Sequence, residues 1–232
     1  MKKLGFLSAV AVAAALFTAP AVAADMGAKA PAYKAAPVAA WSPWMIRVRA
    51  LGVLPTDRGT IDQLPAAGLG YSDAVVPELD ITYFFTQNIA AELILGVTKH
   101  DIHGTGTLGG VALGSTWLLP PTLTFQYHFT NFGAFKPYVG AGVNYTIPFS
   151  TKADGVTLTQ LSISNAFGVA AQVGFDYMMN ANWGINVDVK KLWLDPNWSA
   201  NNGALTGKAR LDPWLVGVGI TYRFGGPVVA KY

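Results

Sequence analysis

What most constrains this chain is a pattern: apolar residues recur at every second position in eight separate segments, 44–54, 76–86, 89–98, 116–129, 135–147, 165–179, 183–193 and 211–224. The last is the clearest. In PWLVGVGITYRF, the residues Trp214, Val216, Val218, Ile220, Tyr222 and Phe224 alternate with Gly217, Gly219, Thr221 and Arg223, and Leu215 is the exception. Period two is the geometry of a strand whose two faces meet different surroundings. The apolar face meets either a protein core or lipid, and the rest of the sequence decides which.

Sorting each segment by parity separates the residue types. One set is bulky and apolar, for instance Val48, Ile81, Leu93, Phe125, Val139, Val173 and Val187. The opposite set holds five basic and five acidic residues: Arg47, Arg49, Lys136, Lys190 and Arg223 with Glu78, Asp80, Glu92, Asp176 and Asp188. Eight strands enclose an interior only just wide enough for side chains, so the bulky set would overfill it. Gly140, Gly142, Gly168, Gly174, Gly217 and Gly219 share the charged parity, as a crowded interior requires. The apolar set is therefore expected to face lipid and the charged set to line a lumen. Only 12% of residues are charged, against about a quarter in soluble domains. No segment after the N-terminal one offers the ~18 consecutive apolar residues of a membrane-spanning helix. A closed sheet leaves no backbone group unpaired in hydrocarbon. The expected fold is all-β: an eight-stranded antiparallel transmembrane β-barrel, each segment near the ~9–11 residues that a tilted strand needs to cross a bilayer. Lys99 and Lys191 alone have outward parity, both at the loop end, within reach of lipopolysaccharide phosphates.

Connection lengths alternate. Residues 55–75, 99–115, 148–164 and 194–210 are long, whereas TQN, TNFGA and NAN make tight turns between the other pairs. Long loops at one end and short turns at the other are the habit of outer-membrane barrels. Residues 1–24 read as a secretory signal peptide, with Lys2 and Lys3, an apolar stretch over 4–17 and the small-residue site Ala21-Val22-Ala23. Residues 25–43, rich in Ala and Pro, read as a flexible periplasmic tether. The barrel then occupies 44–224, and 225–232 form a C-terminal periplasmic extension.

Chemistry-bearing motifs are sparse. GTGTLG at 104–109 matches a dinucleotide-binding glycine pattern without its strand-turn-helix context, and reads as a flexible extracellular loop. His100, Asp101 and His103 sit close in that loop but lack further ligands for a metal site. His128 has no nucleophile or carboxylate at a diagnostic spacing and is expected to make a structural hydrogen bond. NYT and NWS match the glycosylation pattern, and both are discounted, because Asn144 falls within a strand and the setting looks bacterial. The absence of cysteine excludes disulfides and Cys-ligated metals, and the net charge of +3 without a basic cluster gives no sign of nucleic-acid binding. The ten lumen charges balance, whereas an ion-selective pore shows one sign in excess. They are expected to pair, for instance Arg47 and Arg49 with Glu78 and Asp80 on the neighbouring strand, and to plug most of the lumen.

The stretches WMIRVRALGVLPTD, PELDITYFFTQNIAAELI, LPPTLTFQYHF, FKPYVGAGVNYT, GFDYMMNANWGINVDVKKLWL and DPWLVGVGITYRF resemble the outer membrane protein W (OmpW) family over nearly all of the chain beyond residue 43 and outside the loop tips. The resemblance implies a bacterial outer-membrane barrel whose narrow lumen passes small hydrophobic molecules, with no cofactor; members have also been linked to stress responses and to serving as a bacteriocin receptor. It also implies an aromatic C-terminal signal for the barrel-assembly machinery. Here the aromatic Phe224 is followed by GGPVVAKY, so either an internal signal at Tyr222 and Phe224 is read or Tyr232 substitutes for it, and the internal signal is expected.

The expected function is a narrow passive conduit for small hydrophobic molecules. An apolar solute would leave sideways into lipid, through a seam near Pro120 and Pro121, because proline supplies no backbone donor. The rival is a non-transporting structural or receptor barrel acting through its loops. A lipid-acting enzyme would need a clustered nucleophile and base at one rim, which the sequence lacks; a soluble ligand-binding barrel is the rival at the level of fold.

Overall fold

In the computed structural model the described residues are 42–56 and 58–225. The segments read as a signal peptide over 1–24, as a tether over 25–43 (all but residues 42 and 43) and as an extension past Gly225 lie outside them. The described chain is almost entirely strand: β1 (Trp44–Leu54), β2 (Gly59–Thr60), β3 (Ala67–Tyr71), β4 (Ala74–Phe84), β5 (Ile89–Gly96), β6 (Thr98–Gly106), β7 (Ala112–Leu119), β8 (Thr122–His128), β9 (Phe135–Ala153), β10 (Leu161–Ile163), β11 (Ala166–Met178), β12 (Trp183–Trp193), β13 (Asn197–Ala200), β14 (Leu205–Lys208) and β15 (Trp214–Arg223).

Eight of these strands close a ring. The order β11-β12-β15-β1-β4-β5-β8-β9 returns to β11 through an antiparallel β9–β11 ladder. The first and last barrel strands pair in full, from Met45 opposite Arg223 to Leu54 opposite Trp214. Closure leaves no edge, as hydrocarbon demands.

The two parities separate as the alternation predicts. Val48, Phe125, Val173 and Ile220 are 54–60% exposed on the outer surface, whereas Arg47 and Asp188 are wholly buried. At the short-turn end, aromatics pack edge to face around the rim: Trp44 with Tyr83, Tyr83 with Phe85, Tyr127 with Phe129, and Tyr222 with Phe224. Their amphipathic rings suit the headgroup boundary of the membrane.

The long connections differ from expectation. They continue as sheet: β3, β6, β7 and the distal half of β9 pair into an extension of the barrel wall, and β10, β13 and β14 form a small sheet of their own. The physical reason is that alternation persists beyond the bilayer. Thr98, His100, Ile102 and Gly104 of β6 all point inward, and an apolar core of Leu69, Ile102, Leu113, Leu161 and Trp198 fills the space between the extended strands. GTGTLG is accordingly a strand end and a tight turn. Gly106 has φ +62°, and a Cβ there would lie 2.2 Å from the Ala66 carbonyl oxygen, so only glycine fits. The fourth segment, expected to be continuous over 116–129, breaks at Pro120 and Pro121 into β7 and β8.

Candidate functional site

The barrel interior is layered. At mid-height a buried ionic network joins β1, β4, β5, β11 and β12. Arg47 grips Asp176 with two bonds, Nε to Oδ1 at 3.0 Å and Nη2 to Oδ2 at 2.7 Å, and its Nη1 donates to Glu92 and Thr82. The planar guanidinium fork suits this bidentate geometry. Arg49 Nε lies 2.9 Å from Glu78 and Nη2 lies 2.6 Å from Asp80, while Nη1 donates to Asn186 at 2.9 Å. Lys190 Nζ donates to Glu78 at 2.9 Å and Asp188 at 2.7 Å. Gln172 bridges Glu92 and Asp188, and Tyr138 donates to Asp188 at 3.0 Å. Thr221 and Asn186 add donors to Asp176. All of these side chains are buried. Such a network is held together because removing one partner strands another charge in low dielectric. Gly174 makes room for it: a Cβ there would lie 2.6 Å from the Tyr138 hydroxyl.

Directly above, on the long-loop side, the inward parity changes character. Leu51 and Val53 follow Arg47 and Arg49 on β1, and Leu192 follows Lys190 on β12. With Ile94, Leu118 and Leu215 they line an apolar cavity of about 50 Å³ whose floor is Glu78 and Lys190. Leu215, the exception to the alternation of the last segment, is a wall of this cavity. Gly96, Pro120 and Thr122 also line it. There the wall itself is interrupted. The β5–β8 ladder ends at Ile94 opposite Thr122, and the β6–β7 ladder resumes at Thr98 opposite Leu118. Between them, residues 95–97 face 119–121 without strand pairing. The freed carbonyls of Pro120 and Pro121 turn instead to β9: Asn144 Nδ2 donates to Pro120 at 3.1 Å and the Tyr145 N–H donates to Pro121 at 3.1 Å.

Below the network, the periplasmic end opens into a polar vestibule lined by His128, Lys136, Asp176 and Arg223 with Met45 and Phe84. Lys136 donates to the Thr130 carbonyl at 2.9 Å, and the Arg223 guanidinium stacks 4.3 Å above the Phe84 ring. His128 is wedged between Phe84 and Tyr138, with Nε2 2.9 Å from Gln126 Oε1.

The OmpW family pattern matches residues 43–224, the whole of the barrel. The chain belongs to the OmpW family. Its sequence is 53% identical over 218 residues to the uncharacterized outer-membrane protein y4mB of Sinorhizobium fredii, covering 92% of this chain and 94% of that one. It is 33% identical over 190 residues to outer membrane protein W of Escherichia coli, covering 78% and 88%. Among solved structures it is similar to OprG of Pseudomonas aeruginosa, with a TM-score of 0.71 at 27% identity over 78% of this chain and 95% of that one. Membership, a closed barrel and relatives named as outer-membrane proteins together put this OmpW-family protein in the bacterial outer membrane.

Within the OmpW-family barrel, the ten sequence-predicted charges divide. Eight enter the network, three cations against five carboxylates, so the buried layer is not balanced. Lys136 and Arg223 sit at the periplasmic mouth without a carboxylate salt bridge among the described residues. The expected pairing of Arg47 with its cross-strand neighbours is also corrected. Asp80 lies opposite Arg47 in register, but Arg49 takes both Glu78 and Asp80, and Arg47 reaches across the lumen to Glu92 and Asp176. A long guanidinium side chain in a narrow barrel can cross it, so register does not dictate the partner. His100, read as part of a solvated loop, is buried, with Nδ1 2.7 Å from the Ser72 carbonyl oxygen. Lys191, expected to face outward, lies beside the exposed Trp214 ring, with its ammonium on the Asp212 carbonyl. Sequence reading missed Tyr138, Gln126, Gln172 and Asn186. Their inward parity was the available signal, but their neutrality hid it. It missed the apolar cavity for the converse reason, since only charged residues were taken to mark the lumen.

Proposed function

We propose that this OmpW-family barrel is a narrow passive conduit for small hydrophobic molecules, without catalytic chemistry or cofactor, and that solutes leave it sideways into lipid. One juxtaposition carries the reading: an apolar cavity abuts an unpaired stretch of barrel wall directly above a buried ionic layer. A solute descending among the extracellular strands meets Leu51, Leu118 and Leu215 before it meets charge. Going further down would mean displacing buried ion pairs, at several kcal/mol. Going sideways between residues 95–97 and 119–121 breaks no strand ladder. The cavity holds only on the order of four water-sized groups, counted at about one per 10–15 Å³, so passage involves side-chain displacement. Outer-membrane lipid and lipopolysaccharide are the surroundings in this reading, and the barrel-assembly machinery reads the Tyr222 and Phe224 end.

The test is flux of a small apolar solute into vesicles with a lipopolysaccharide outer leaflet. The protein should accelerate uptake severalfold over protein-free vesicles; equal rates would remove the conduit. One observation favours the rival receptor reading: the extracellular strands are packed around their own apolar core and present a formed surface. Under that reading, substitutions on that surface abolish binding of a partner and leave solute flux unchanged.

A further inference from the structure

The apolar cavity has a polar floor, and the floor has unused hydrogen-bonding capacity. Every other polar liner is committed. His100 Nδ1 must donate to the Ser72 carbonyl, so its Nε2 accepts from Thr98 at 3.2 Å. Thr122 donates to Pro120 and accepts from Asn144; Thr146 donates to Asn144. Glu78 and Lys190 differ. Glu78 Oε1 accepts a hydrogen bond from Lys190 Nζ and forms an ion pair with Arg49 Nε, each at 2.9 Å, while Oε2 accepts no hydrogen bond from the described residues. Lys190 has three N–H donors and gives two of them, to Glu78 and Asp188. Both side chains are at least 97% buried. One acceptor and one donor therefore stand side by side at a cavity whose other liners are apolar or already hydrogen-bonded.

We propose that Glu78 and Lys190 form a recognition site for a hydroxyl group, and that the preferred solutes are apolar alcohols rather than plain hydrocarbons. The inference rests on the conduit reading and names its substrate class. A hydroxyl is the smallest group that donates and accepts at once, to Oε2 and from Nζ respectively. A ketone or ester satisfies only the lysine. A carboxylate only accepts, and it would approach Glu78 above a layer of five carboxylates and three cations. A hydrocarbon leaves both floor groups unmet. The cavity's size fits the hydroxyl and its first few carbons, and the gap at 95–97 and 119–121 lies beside it, so the remaining chain extends through the wall toward lipid. The floor thus orients the solute head inward and tail outward.

The test is titration of isotopically labelled protein in lipid nanodiscs with 1-octanol, 2-octanone and octane, compared at equal concentration in the bilayer, following the amide resonances of Glu78, Gly96 and Lys190. Octanol should saturate these shifts at roughly tenfold lower concentration than octane, as one to two net hydrogen bonds imply, with octanone between them. The double substitution Glu78→Leu with Lys190→Met should erase the preference, and Glu78→Gln, whose amide oxygen stays on Lys190 and Arg49 and turns N–H donors rather than an acceptor to the cavity, should bring octanol down to the level of octanone. Equal saturation by octanol and octane in the unsubstituted protein overturns the proposal with no variant needed, as does a preference that survives the double substitution. Flux reports separately on the conduit: octanol preference without accelerated uptake would sink the conduit and keep the site, whereas accelerated uptake without preference would do the reverse.

Discussion

Arg47 shows how much of this barrel depends on single side chains. Its guanidinium holds Asp176 and Glu92 from opposite sides of the lumen and lies 4.9 Å from the centre of the Tyr138 ring. Arg47→Met would leave two buried carboxylates without their main partner. We expect a loss of about 3–5 kcal/mol in urea unfolding from lipid vesicles, and partial recovery when Glu92→Gln and Asp176→Asn are added. At the extracellular end, burial pushes the His100 imidazole below its ordinary 6.5, against the upward pull of the Ser72 carbonyl and of Asp73 and Asp101. A depressed histidine contributes stability that is present above 6.5 and is lost as pH falls toward the lowered value. Limited proteolysis between Ser72 and Val75 should therefore accelerate as pH falls below about 6.5, and His100→Gln should flatten that dependence.

Among the elements, the break between β7 and β8 is where the proposed exit lies. Pro120 and Pro121 supply no N–H to the neighbouring strand, and the ladder between the third and fourth barrel strands lapses for three residues on each side. Replacing both prolines with β-branched residues should let the ladder close. The expected outcome is a severalfold fall in apolar-solute flux with unchanged heat-modifiable migration on gels; unchanged flux would put the exit elsewhere. The β11–β12 interface offers a packing test. A Cβ on Gly174 would meet Tyr138 Oη at 2.6 Å and the Val187 carbonyl oxygen at 2.7 Å. Gly174→Ala should cost about 1–3 kcal/mol by overpacking, read from the same urea titration.

For the whole molecule the governing fact is inversion: apolar outside, ionic within. Val218 lies near mid-height, opposite Ala50 and Val187 on its two neighbours, and is 54% exposed. Val218→Arg should destabilise the barrel in lipid by about 2–4 kcal/mol; a negligible effect would mean that this face does not meet hydrocarbon. The sequence alone determined the number of barrel strands, the lipid-facing parity and the end that carries long connections. Those follow from period two, from the volume of a narrow lumen and from the cost of charge in lipid, all of which are local or summed properties of the chain. Tertiary structure alone decided that Arg47 pairs across the lumen while Arg49 takes both neighbours, that Lys136 and Arg223 stay at the mouth, and that Leu51, Leu192 and Leu215 converge over Glu78 and Lys190. Alternation gives each residue a face but neither a height nor a facing partner. Those depend on how the strands tilt and stagger when the ring closes, which no single segment encodes.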